Sequence, residues 1–394
     1  MSESTPQTAE PLPVIAVPVS RIAPASGKAP ALDAAPPFVA PRFRGRLGPN
    51  ELWWSDQAGW LKEHGYQLRP RYQPGWVPSW EGTKKQFWKC EDGLPNVASV
   101  SYYVYSQFID AVRMRDERIV ALKKVIIARF PDEVSISQFF SEESLATKRE
   151  NHCVPVLDVL YLPDGETVLL VLPLLRAFDN PPFGTLGEVL DFCGQGLDFM
   201  HQHNVAHSGN VMMDPGPLYP EMFHPISPDM NRTLTGKAKH FTRSERPVKY
   251  YFIDFGISGR YSSREGISVP IHIGGDRTVP EFQGSNETHN PFPTDVYYVG
   301  NLFREELLQR YKGLDFLKPL VDDMVQQDPG MRPTAADVHS HFRARVVGLT
   351  PFTLNKRLAR KGELFGPIRD LQHSVRTWTV RLRQFLLRRQ RQKS

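Results

Sequence analysis

Tyr250-Tyr251-Phe252-Ile253-Asp254-Phe255-Gly256 decides how this 394-residue chain is read. Its first four residues favour extended backbone, so they predict a short apolar strand that ends on the carboxylate of Asp254. Other markers stand around it in a fixed order. Upstream is Val120-Ala121-Leu122-Lys123; downstream are Val279-Pro280-Glu281, Thr294-Asp295 and Asp328-Pro329-Gly330-Met331-Arg332-Pro333-Thr334. A three-letter match such as Asp-Phe-Gly is weak alone, and the ordered series carries the information.

The pattern between the markers is strands first and helices later. Residues 97–128 are rich in strand formers, with Tyr102-Tyr103-Val104-Tyr105 and Ile119-Val120-Ala121-Leu122 as the strongest runs. Strand alternation puts Ala121 and Lys123 on one face and Lys124 on the other. After Pro131 the spacing of Val134, Ile136, Phe139 and Phe140 predicts a helix. Asn151–Val159 and Thr167–Leu174 read as two further strands, split by the turn Pro163-Asp164-Gly165, and helical spacing returns over Leu186–His203. The class is α+β.

The ordered markers resemble the eukaryotic protein-kinase superfamily over about residues 95–345. The resemblance implies a two-lobed fold, with a β-rich N-lobe over about 95–175 and a helical C-lobe over about 176–348. It implies ATP and Mg²⁺ as cofactors and phosphoryl transfer to a protein hydroxyl as the activity. Ala121 and Lys123 match the family's V-A-I-K strand, which makes Lys123 the phosphate lysine, and Glu133 on the next helix is its partner. Asp254 and Asn210 are the Mg²⁺ ligands. Asp295 is expected to tie down the catalytic loop, and Arg332 to pair with Glu281. In the segment between, Ser262, Ser263, Ser268 and Thr278 are hydroxyls able to accept phosphate. Tyr219-Pro220, Phe223-His224-Pro225 and Arg246-Pro247-Val248-Lys249-Tyr250-Tyr251 resemble a fungal group of protein-kinase-domain proteins, a likeness that reaches back to Leu68-Arg69-Pro70-Arg71-Tyr72.

Two departures oppose activity. No glycine lies between Gly93 and Lys123, so the family's G-x-G-x-x-G phosphate hairpin is missing. Where the family has H-R-D-x-x-x-x-N, this chain has His207-Ser208-Gly209-Asn210, four residues short, and the Arg and catalytic Asp are gone. Pairing His203 with Asn210 restores the spacing but puts Val205 at the Asp position. His203 and His207 read as packing residues, not substitute bases. A pseudokinase acting as a binding or scaffold module and an active kinase with four residues lost from its gene model both remain open. Asn210 also stands 44 positions before Asp254, a long insertion of the kind that is functional or disordered.

Residues 1–45 are a Pro/Ala-rich arm with too little apolar surface to order itself. Residues 46–94 hold six of the seven tryptophans and form an aromatic extension. That extension is read as a packed cap in preference to a base-stacking surface. Three scattered cysteines offer neither a disulfide framework nor a zinc site. No signal peptide or transmembrane run is present, so the expected location is cytoplasmic or nuclear.

The formal charge is +5, yet residues 351–394 alone carry 12 Lys/Arg against Glu363 and Asp370. This tail (349–394) has Leu371, Val375, Trp378, Leu382, Phe385 and Leu386 at helical spacing, a basic amphipathic helix. Its partner is the acidic remainder of the chain, an anionic membrane surface contacted through 366–394, or, ranked last, nucleic acid. The other expected partner is a protein, as substrate or as bound module.

Overall fold

The computed structural model describes residues 45–94, 107–195, 198–207, 210–271, 276–283, 288–366, 368–371 and 374–375. The arm expected over 1–45 lies almost wholly outside them, as does most of the tail helix expected over 368–387. The described chain opens with helices α1 (Pro49–Asp56) and α2 (Ala58–Glu63) and strand β1 (Tyr66–Leu68). There follow β2 (Phe108–Arg113), β3 (Arg118–Ile126), α3 (Pro131–Ser141), α4 (Glu143–Ala146), β4 (Asp158–Tyr161) and β5 (Thr167–Pro173). The five strands form one antiparallel sheet in the order β1-β2-β3-β5-β4.

The strand expected over 97–105 lies outside the described residues. The outer neighbour of β2 is β1, with Tyr66 opposite Arg113 and Leu68 opposite Ala111. Residues 46–94 therefore supply the sheet's edge strand as well as a cover. Alternation along β3 divides two cores. Val120 and Leu122 pack with Trp54, Leu61 and Tyr72 on the outer face, while Val125 joins Ile136, Phe140 and the helices on the inner face. On the outer side the Lys124 ammonium sits over the Trp53 ring at 4.1 Å, a cation–π contact.

Two expected elements are shorter than their hydrophobic patterns. The strand over Asn151–Val159 begins only at Asp158. Asn151 turns inward instead: its Nδ2 donates to the carbonyls of Phe140 (2.8 Å) and Leu145 (3.1 Å), and its Oδ1 accepts from Cys153 N (2.9 Å). Such side-chain bonds compete with strand pairing. The helix over Leu186–His203 divides into α5 (Leu186–Cys193) and α6 (Asp198–Gln202). At the break, Gly194 lies so close to Phe342 that a Cβ would meet it at 3.3 Å, and the Gln195 side chain accepts from Tyr250 N at 2.9 Å.

Short strands then bracket the loops of interest: β6 (Arg176–Ala177), β7 (Val205–Ala206), β8 (Val211–Met213), β9 (Tyr250–Phe252) and β10 (Gly259–Arg260), paired as β6-β8-β9 and β7-β10. Helices α7 (Pro291–Leu302), α8 (Lys318–Met324) and α9 (Ala335–Val346) complete the lower core. Asn290 caps α7 through Phe292 N, and Thr334 with Asp337 forms a capping box on α9. The insertion between β8 and β9 has no regular element, yet Leu218, Tyr219 and Phe223 in it are buried. The Arg176 guanidinium lies over the rings of Tyr219 and Phe223, each at 4.6 Å, and donates to Pro228 O at 2.6 Å. Among the described residues no helix is long and apolar enough to cross a membrane.

Candidate functional site

Three elements converge where β3, the start of α3 and the end of β9 meet. β3 delivers Lys123, and α3 begins with Pro131 at its first turn and carries Glu133 there. β9 ends two residues before Asp254. Lys123 Nζ donates to Glu133 Oε1 and, at 2.6 Å, to Asp254 Oδ1. The Lys123 and Glu133 side chains are fully enclosed, whereas the Asp254 side chain is 43% exposed. Ala121 lies two residues back on the same strand face, and the Phe108 ring stands 5.5 Å from the ammonium.

The electrostatics separate the two carboxylates. Burial alone would drive Lys123 toward its neutral form, but Asp254 and Glu133 outweigh it and raise its pKa. Burial pushes Glu133 up, and Lys123 offsets only part of that. For Asp254 the order reverses: burial pushes up, but the ammonium and hydrogen bonds hold the carboxyl below the ordinary aspartate range. Asp254 is thus the firm, partly accessible anion, and Glu133 the enclosed one that fixes the lysine. One ammonium between two carboxylates leaves the group with an excess of negative charge, and its accessible atoms are hard oxygens. Among the described residues no group of three or more His, Cys, Asp or Glu is placed to hold a metal ion.

Asp254 holds this position in a left-handed backbone conformation, φ 67° and ψ 75°, a region few non-glycine residues enter and in which Asp is enriched. Gly256 packs closely beside it. A Cβ there would meet Glu133 Oε2 at 3.2 Å and Asp254 Oδ1 at 3.3 Å, crowding both carboxylates. Phe255 is buried, stacked on Phe140 and edge-on to His207.

The second half of the site is the link from β7 to β8. Asp295 on α7 is buried; its Oδ2 accepts from His207 N at 2.6 Å and faces His201 Nε2 at 3.0 Å. Burial pushes the Asp295 carboxyl up to about 6, although His201 and the His207 N–H pull it back. His207 Nε2 donates to Ile253 O at 2.8 Å, and burial lowers the imidazole to about 4. It is a neutral ring with its Nε2 proton engaged. Asn210 O accepts from Ile253 N at 3.0 Å, which sets Asn210 beside the residue preceding Asp254. Only Ser208 and Gly209, outside the described residues, separate His207 from Asn210, and neither is an acid. His203 packs among Phe139, Phe140 and Phe199.

Farther down, Arg332 donates twice to Glu281, at 2.7 and 2.6 Å, with Thr294 Oγ1 adding a third bond at 2.9 Å. Of the hydroxyls between, Thr278 is bonded to Asp276 Oδ1 at 2.8 Å and Ser268 to Thr288 at 2.7 Å.

Sequence reasoning missed the connection from β1 to β2. Residues 69–107 connect the two strands. Their described part is tied down: Arg69 Nε to Asp110 (3.1 Å), Arg71 Nη2 to Glu51 (3.0 Å) and Arg71 Nη1 to Asp92 O (2.8 Å). This excursion meets the insertion between β8 and β9. His224 Nδ1 accepts from Ile226 N and Ser227 N, both at 3.2 Å, which leaves Nε2 to donate to Glu91 Oε1 at 3.4 Å. The only advance signal for β1 was Tyr66-Gln67-Leu68 after a glycine, three residues being too short to read as alternation.

No protein-family model matches the chain, and no curated protein matches it.

Proposed function

We propose that this is a protein-kinase-like chain with a two-lobed fold that binds Mg·ATP but is disabled for phosphoryl transfer, and serves as a binding module. One observation carries the reading: Lys123 on the third strand pairs with Glu133 on the following helix and reaches Asp254 at 2.6 Å. That is the pairing on which nucleotide positioning in such proteins depends. The antiparallel sheet followed by helices, and the Arg332–Glu281 and Asp295–His207 contacts, support the same fold.

Mg²⁺ and ATP would supply a metal-bridged triphosphate whose terminal phosphoryl is electrophilic. Lys123 offers its ammonium to phosphate oxygens, held in place by Glu133. Asp254 and Asn210 are the residues that would hold the metal. What the chain lacks is a carboxylate to orient and deprotonate an acceptor hydroxyl. His207 cannot take that part, because its ring is buried with its Nε2 proton held by Ile253 O, and burial lowers its imidazole to about 4, which makes it a weak base near neutral pH.

A second reading, an active kinase whose sequence has lost four residues, is favoured by the intact flanks: β7 and β8 pair normally and Asp295 still grips His207 N. One experiment separates the two. The transcript is sequenced across His203–Asp214, and γ-labelled ATP is offered with a generic protein acceptor to the chain as written and to a version with Arg-Asp and two further residues inserted after His207. An unaltered transcript and no transfer by the chain as written support the disabled module. Transfer by that chain, lost in Asp254→Asn, sinks it.

A further inference from the structure

The C-terminal segment has a use for its apolar stripe that the nucleotide site does not explain. Its root is anchored to the body. Arg357 bridges Thr185, Leu358 is buried, and Lys361 N donates to Arg310 O at 2.7 Å. The only two acids in residues 351–394 are both consumed there: Arg357 holds Glu363 at 2.9 Å and Asp370 at 2.5 Å. Beyond Asp370 come seven Lys/Arg and no Asp or Glu.

From this root a helix sets out, described at 368–371 and 374–375. Leu364, Ile368, Leu371 and Val375 recur at helical spacing and are 72%, 56%, 67% and 56% exposed. A helix docked on its own body would bury such a stripe. The sequence beyond carries Trp378, Leu382 and Phe385 at the same spacing, with Arg376, Arg381 and Arg383 among them.

We propose that the exposed stripe of Leu364, Ile368, Leu371 and Val375 lies in the headgroup region of an anionic bilayer. The seven Lys/Arg beyond Asp370 supply the attraction to the lipid charge. Both features are needed for that partner: cations draw the segment to anionic lipid, and apolar and aromatic side chains insert. Nucleic acid would use the charges and leave the stripe idle.

The test is co-sedimentation of the full chain with vesicles of phosphatidylcholine alone and with about 30% phosphatidylserine. The parent is expected to sediment with the anionic vesicles, less so as salt rises, and not with neutral ones. Leu371→Asp/Val375→Asp should weaken that binding by roughly tenfold or more, and Arg388→Glu/Arg389→Glu by a similar factor, with both variants melting like the parent. Equal binding to neutral vesicles, an unaffected stripe variant, or duplex DNA that displaces the chain from vesicles without regard to the stripe would overturn the proposal. So would a stripe variant that melts earlier, because the stripe would then be packed on the body.

Discussion

The two halves of the candidate site are built from the same kind of material and have fared differently. In one, Lys123, Glu133 and Asp254 come from three separate elements and meet within hydrogen-bond distance. In the other, the supports are equally well made, with Asp295 gripping His207 N and β8 pairing β9, yet the loop they support is a two-residue link without an acid. The contrast separates two demands. Buried ion pairs must be complete, since a lone buried charge is costly and each partner enforces the others. A loop carboxylate facing solvent costs the fold nothing to lose. On the proposed reading, the Lys123–Glu133–Asp254 group and its scaffold can persist without a loop carboxylate.

The largest effect expected from breaking this contrast is on phosphoryl transfer. Inserting Arg-Asp and two more residues after His207 should raise transfer from γ-labelled ATP by at least about a hundredfold, the order of a general base's contribution. Adding Asp254→Asn to the lengthened chain should abolish it.

Lys123→Met attacks the retained half. It leaves Glu133 enclosed without its cation and should cost about 3–5 kcal/mol in urea unfolding. A loss under about 1 kcal/mol would mean the pair is not buried as described.

His207 tests the other half through pH. Its imidazole falls from 6.5 to about 4 because burial favours the neutral ring. Its contribution is therefore full above pH 6.5 and is lost as pH drops toward 4, roughly 3 kcal/mol in all. Asp295 runs the opposite way, since its carboxyl is raised to about 6 and its contribution grows as pH falls. That part is shared by a His207→Gln variant and cancels in the difference. The stability gap between parent and His207→Gln should narrow between pH 7 and pH 4; a constant gap contradicts the buried neutral ring.

The smallest effect concerns the edge of the retained half, where the β1–β2 excursion meets the insertion. His224→Ala strands two backbone N–H groups and removes the bond to Glu91, a loss of about 1–3 kcal/mol in thermal or urea unfolding. His224→Asn, which can still accept one of those bonds, should recover part of it.

The site was more legible than the sheet. Val120-Ala121-Leu122-Lys123, Glu133 and Asp254 could be named from their resemblance to an ordered series of family markers, and strand alternation told Lys123 from Lys124. The sheet's edge could not be read, because β1 is three residues long and its partner lies some 40 positions downstream. Hydrophobic pattern overran the true ends at Asn151 and Gly194 for another reason. There the deciding bonds, from Asn151 to Phe140 O and from Tyr250 N to Gln195, join residues 11 and 55 positions apart. The packing of the insertion on Arg176 had no local signal at all.

The most direct test of the central claim is a calorimetric titration of the full chain with Mg·ATP, run beside Asp254→Asn. The account predicts saturable, magnesium-dependent binding by the parent and none by the variant. Absence of binding by the parent, or equal binding by both, would mean that the Lys123–Glu133–Asp254 group is a structural ion cluster and not a nucleotide site.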